Sequence, residues 1–132
     1  MSQRPITIGL LLCEKLIVEE GTKNLTVVNA FTRRTAGSFP AEPFPFMVLA
    51  LLTDGLGEGT VDVVISRPDT EENLYRRTAS YRFTDPLATV QVTLRVRHFS
   101  FPEPGRYQVA VKIDNELIAH RNLQLVLEEN ES

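Results

Sequence analysis

The chain holds a single cysteine, no tryptophan and only two histidines, His98 and His120. One thiol, Cys13, makes no internal disulfide, so the disulfide scaffold of small secreted domains is excluded and a reducing cytoplasm is the expected compartment. One cysteine and two isolated histidines do not supply the four ligands of a closed zinc site. No apolar run approaches the roughly 20 residues of a membrane-spanning helix. The stretch Ile6 to Cys13, preceded by Arg4, has the look of an export leader but lacks the small residues of a cleavage site: Leu12 stands where one belongs, and Glu14 to Val18 continue as strand-like sequence. Excess positive charge is missing too, because the net charge is -3 and the pI about 5.4, which disfavours nucleic acid or an anionic membrane as a general partner. No Gly-x-Ser-x-Gly elbow occurs, and no ten-residue window carries a helical period.

What the chain does carry is a period of two. Val90, Val92, Leu94 and Val96 alternate with Gln91, Thr93, Arg95 and Arg97, and Val61, Val63 and Ile65 alternate with Asp62 and Ser66. Tyr107, Val109, Val111 and Ile113 repeat the pattern. Further strands are expected at Ile6 to Cys13, continuing towards Val18, and at Leu25 to Thr32, Phe46 to Thr53, Tyr75 to Phe83 and Leu117 to Leu127. Turn signals separate them: Glu20-Gly21, Asp54-Gly55, Pro68-Asp69, Asp85-Pro86, Pro102 to Gly105 and Asp114-Asn115. About eight short strands at intervals of about ten residues predict an all-β, antiparallel sandwich formed by one domain, residues 1–127, with an acidic, frayed tail at 128–132. The Pro- and Phe-rich segment Arg33 to Pro45 is expected to cross between sheets.

Two stretches, LLCEKLIVEEGTKNLTVVNAF from Leu11 and FPEPGRYQVAVKIDNELIAHRNLQL from Phe101, together with SFPAEPFPFMVLALL, resemble a bacterial family of small proteins of unknown function. The resemblance spans most of the chain and implies an immunoglobulin-like sandwich; it assigns no residue a functional role. Within it, Pro104-Gly105-Arg106-Tyr107 is similar to a tyrosine corner, with Tyr107 opening a core strand and offering its hydroxyl to nearby backbone.

Chemistry has few footholds. Cys13, at the end of an apolar strand, reads as a small buried hydrophobe, with a Cys13–His120 dyad as the sharper alternative. Asp54, Asp85 and Asp114 fall at one end of an alternating sandwich, where three carboxylates could hold calcium, although Asp beside Gly, Pro or Asn is also ordinary turn chemistry. Gly55-Leu56-Gly57-Glu58-Gly59 lacks both a following helix and a Walker lysine, so it reads as a flexible hairpin connection. Arginine outnumbers lysine eleven to three. Arg76 and Arg82 share one strand face, Arg95 and Arg97 another, and a hairpin about Asp85-Pro86 would join them as a basic strip. Phe39, Phe44 and Phe46, set among Pro40, Pro43 and Pro45, either present a stiff apolar ridge to a partner or lid the sandwich's own end. The resulting expectation is a non-catalytic protein-interaction or scaffolding module that needs no cofactor or metal. Its candidate surface is Phe39, Phe44, Phe46, Arg76, Arg82, Arg95 and Arg97, and its partner is another protein or a second copy. Binding of a small ligand, glycan or nucleic acid through the arginines is the alternative.

Overall fold

Alternating apolar residues dictate where strands form, because each one places a side chain in the core every second residue. In the computed structural model, which describes residues 3–128, the strands are β1 (Ile6–Val18), β2 (Leu25–Ala30), β3 (Arg33–Ala36), β4 (Phe46–Thr53), β5 (Gly57–Arg67), β6 (Glu72–Phe83), β7 (Val90–Val96), β8 (Gly105–Ile113) and β9 (Glu116–Leu127). They form a four-stranded sheet in the order β2-β1-β4-β7 and a five-stranded sheet in the order β3-β9-β8-β5-β6. The inner faces of the two sheets enclose one core, which includes Leu10, Leu12, Val48, Leu52, Val61, Ile65, Leu94, Val109, Val111 and Leu123. The fold is an immunoglobulin-like all-β sandwich, as expected.

Three details depart from the expectation. Arg33–Ala36 is a strand rather than part of the crossover, and it runs parallel to β9, with Arg33 opposite Gln124 and Ala36 opposite Leu127, so the sandwich is not wholly antiparallel. Its sequence has no apolar alternation; the free backbone groups at the β9 edge hold it. β6 and β7 do not pair as a hairpin about Asp85-Pro86 but lie at the edges of different sheets. Gly57 and Gly59 belong to β5 and face Phe83 and Tyr81 across the ladder. A β-carbon on Gly59 would lie 2.5 Å from the Tyr81 hydroxyl, and one on Gly55 2.6 Å from Phe83, so these glycines make room for aromatic rings and are not a loose loop. Of the tail, Glu128 is tied by its amide to the Ala36 carbonyl at 2.8 Å, and 129–132 lie outside the described residues.

Tyr107 is fully buried, and its hydroxyl donates to the Glu103 carbonyl at 2.6 Å while accepting from the Glu103 amide at 3.1 Å. This closes the Pro102 to Gly105 turn onto the strand it precedes. Phe101 packs edge-on against the Tyr107 ring at 4.9 Å between centroids, and stacks on Phe44 and Phe46. Arg67 lies over the other side of Tyr107 and pairs with Glu103 at 2.9 Å.

On the outer face of the five-stranded sheet Asp62 accepts from Thr78 and Arg76, each at 2.6 Å, and these contacts, the Thr78 hydrogen bond foremost, pull its carboxyl below the usual carboxylate range. Replacing Tyr107 by Phe keeps the ring and strands both Glu103 backbone groups, which costs about 1–3 kcal/mol. Calorimetry should show a melting temperature several degrees lower with an unchanged far-ultraviolet spectrum. Because the Asp62 pKa is depressed on folding, its contribution is present above the unfolded carboxylate pKa and lost as pH falls through the folded value. Asp62→Asn should therefore destabilise the protein at neutral pH, and its stability should converge on that of the parent below about pH 4 in urea titrations.

Candidate interaction surface

The residues singled out by sequence are distributed over three places. Phe46 opens β4 and is 1% exposed, so it belongs to the core and is not available to a partner. Phe44 and Phe39 are half-buried against the same core, with the Phe44 ring 5.6 Å from Phe46 and 5.8 Å from Phe101. The proline-stiffened segment thus lids one end of the sandwich. Arg76 and Arg82 lie on the outer face of the five-stranded sheet, where Arg76 is engaged by Asp62 and Arg82 stands opposite Glu58. Arg95 and Arg97 belong to the other sheet and the loop that follows it. No continuous strip joins the two pairs, since that strip required the β6–β7 hairpin.

The catalytic and cation alternatives separate in the same way. Cys13 sits opposite Met47 in the four-stranded sheet, whereas His120 sits opposite Ala110 in the five-stranded one, each on the side away from the core. Two layers of side chains lie between them, so they form no dyad. Burial pushes the Cys13 thiol pKa up, which works against a reactive thiolate. The Asp54 carbonyl accepts from the Gln3 side chain, Asp85 caps its own turn through the Leu87 amide, and Asp114 pairs with Arg4. Among the described residues no three His, Cys, Asp or Glu side chains come together as a metal would need.

The register of the four-stranded sheet reveals a surface that alternation alone does not predict. Phe46, Val48, Ala50 and Leu52 of β4 face the core, so Met47, Leu49 and Leu51 face outwards. Opposite them on β1 stand Cys13, Leu11 and Gly9, and on β7 Arg95, Thr93 and Gln91. Beyond Cys13 the same side of β1 carries Lys15 and Ile17, facing Val28 and Thr26 of β2. Leu49 and Cys13 are almost wholly covered by these neighbours alone, while Ile6, Ile8 and Ile17 are about half exposed. Leu51 lies over Gly9, where a β-carbon would approach it to 3.3 Å.

None of the outward positions of β1, β4 and β7 carries a carboxylate, although Glu14 borders the face at its Pro45 end. Glu14 points to the opposite side of β1, where it accepts from the Asn29 side chain at 2.8 Å. The outer face of the other sheet is more polar: around buried Val64 and Ala110 and half-exposed Leu117 it presents Glu58, Asp62, Arg76, Arg82, Gln108, Lys112, His120 and Asn122. At the Pro45 end the apolar face runs into two open depressions of about 400 and 440 Å³, which share Pro45 and Arg95. Glu14, Lys15, Arg34, Phe44 and Phe46 also line the first, Pro43, Arg97 and His98 the second. Arg34 is held over the Phe44 ring at 4.3 Å, a cation–π contact that fixes its guanidinium at the rim. The Phe-Pro segment and Arg95 and Arg97 therefore do meet. Lys15 and Arg34, not singled out by sequence, complete the cluster. The signal for the apolar face lay in GLLLC and MVLALL, whose apolar residues are consecutive, the pattern of strands covered on both sides.

No curated protein matches the chain. Among solved structures, an immunoglobulin-like protein from Pseudomonas aeruginosa superposes with a TM-score of 0.47 at 12% identity, over 93% of this chain and 97% of that one. A β-glucosidase from Listeria innocua gives 0.48 at 12% identity over 94% of this chain, and the alkylpurine DNA glycosylase of Pseudomonas fluorescens, bound to DNA with an abasic site analogue, 0.45 at 12% over 89%. The chain spans only 17% of the former and 30% of the latter. At such identities and scores none of these likenesses bears on activity, and the fold stands on the strand order and register above. Sequence comparison matches residues 9–126 to a family of unknown function, DUF6941, and over that span, nearly the whole chain, the protein belongs to it.

Proposed function

We propose that this protein is a non-catalytic interaction module of the bacterial cytoplasm, and that it docks another protein on the outer face of its four-stranded sheet. The observation that carries this reading is the contrast between its two outer faces. Antiparallel sheets facing water alternate apolar-in and polar-out, and the five-stranded sheet does so except at Val64 and Ala110, which are small and covered. The four-stranded sheet instead places Leu11, Met47, Leu49 and Leu51 on the outside of its two central strands. Contiguous apolar patches of this kind mark interaction sites on soluble domains. Half-exposed Ile17 and Val28 extend the patch onto the β2 side, where the edge strand leaves backbone groups unpaired.

Substitutions that test the surface must spare the core. Removing the Phe46 ring would cost about 3–5 kcal/mol and unfold the domain rather than blunt a surface. Ile17→Gln with Met47→Gln keeps side-chain length and removes apolar contact from the face alone. Tagged protein captured from its native cell lysate should recover a discrete polypeptide, and the double variant, with a melting temperature within a few degrees of the parent, should lose at least about nine-tenths of it, a tenfold effect being ~1.4 kcal/mol. Recovery of the same polypeptide by the variant, or of nothing but the bait or nucleic acid by the parent, would overturn the reading.

A further inference from the structure

We infer that the partner segment seated on this face is acidic at one end and apolar along the rest, with its carboxylates held by Lys15, Arg95 and Arg97. The inference rests on the docking reading above and adds the chemistry of the occupant. Reading along the β1–β4–β7 ladder, cross-strand rows run from Gly9, Leu51 and Gln91 through Leu11, Leu49 and Thr93 to Cys13, Met47 and Arg95. Past that row the strands lead to Lys15, Pro45 and Arg97. Apolar surface thus gives way to cations in one direction only. Glu14, which accepts from Asn29, lines the same depression as Lys15, Arg34 and Arg95, so cations outnumber carboxylates there, although the chain as a whole is acidic.

Arg95 and Lys15 line the same depression beside Phe44 and Pro45, and Arg97 lines the adjoining one. None of the three enters an ion pair within the described residues. Covering them with an apolar surface would leave cations desolvated with too little counter-charge, since Glu14 faces Lys15, Arg34 and Arg95 in one depression, and that is strongly unfavourable. A second copy is the wrong occupant for that reason. Stacked the same way round, it would set the three cations against their equivalents; stacked the opposite way, it would set them against Ile6 and Ile8. A segment with an apolar block followed by glutamates or aspartates satisfies both halves of the surface. Bidentate pairing of carboxylate to Arg95 and Arg97 would fix its direction along the sheet.

The test uses defined probes on the full chain. One fluorescein-labelled peptide carries a Thr-Val-Leu block followed by glutamates; a second replaces the glutamates by glutamine; a third interleaves the same residues. Fluorescence anisotropy should show the first binding at least about tenfold more tightly than either of the others, equivalent to ~1.4 kcal/mol, and weakening as salt rises. Arg95→Gln with Arg97→Gln should remove that advantage without changing the melting temperature. Equal binding of the glutamine peptide, an unaffected double variant, or no binding of the acidic peptide up to millimolar concentration would overturn the inference. So would preferential binding of a single-stranded oligonucleotide or of phosphatidylserine vesicles. The two readings separate in the capture experiment: a polypeptide lost by Ile17→Gln with Met47→Gln but kept by Arg95→Gln with Arg97→Gln leaves the docking face standing and removes the acidic segment.

Discussion

The pairing of β1 with β4 is the interaction on which the rest of the molecule depends. Each strand is apolar on both sides, so the pair contributes to two surfaces at once. Inwards, Leu10, Leu12, Val48 and Leu52 meet Val61, Val63, Val109 and Val111 of the opposite sheet and remove most of the core from water. Outwards, Leu49 is covered by its neighbours, whereas Leu11 and Leu51 stay partly exposed. The burial that drives folding, about 25 cal/mol for each Å² of apolar surface, acts fully on the first set and only in part on the second. A strand pair that could have been half polar keeps a second apolar face.

Outside this pair the sandwich is held closed by polar contacts at its rims. At one side Arg77 of β6 reaches across to the Arg95 carbonyl of β7 at 2.7 Å, and at the other Arg121 of β9 donates to the Leu10 carbonyl of β1 at 2.7 Å. Both link one sheet to the other where no strand pairing does. Arg77 also lies on the core-facing side of an edge strand, opposite Val63, a placement that discourages edge-to-edge association. The free edge of β2 has no such guard, since the strand carries no charged side chain and sets Thr26, Val28 and Ala30 on the outer side. The unguarded edge therefore adjoins the bare apolar face.

Much of this was legible in the sequence. Strands whose apolar residues alternate, such as β7 and β8, could be placed closely because one wet face and one dry face leave a period-two trace. The tyrosine corner was legible because Pro104-Gly105 and Tyr107 fix a turn by local chemistry. β3 was not, since a strand of Arg33, Arg34, Thr35 and Ala36 exists only by virtue of the β9 edge beside it. The pairing of Arg76 and Arg82 with Arg95 and Arg97 failed because a turn signal at Asp85-Pro86 says that the chain reverses, not whether it returns to the same sheet. Lys15 and Arg34 were passed over because they gain meaning only when β1, the Phe44 segment and β7 converge. The consecutive leucines of β1 and β4 do carry the second apolar surface, but a short apolar run does not tell whether its outer side is covered.

The arrangement of charge narrows what that cover can be. A purely apolar partner would pair well with Leu11, Met47 and Leu51 but would bury Lys15, Arg95 and Arg97 with Glu14 alone beside them as counter-charge. A purely acidic partner would pair with the cations but leave the leucines wet. The two halves are contiguous and ordered along the strands, and the Phe44 lid, stacked on Phe101 and tilted against Phe46, packs the Pro45 end onto the core. A preformed surface loses little entropy on docking. On the docking proposal, the polarity of the face would select both the composition and the direction of the segment that lies on it.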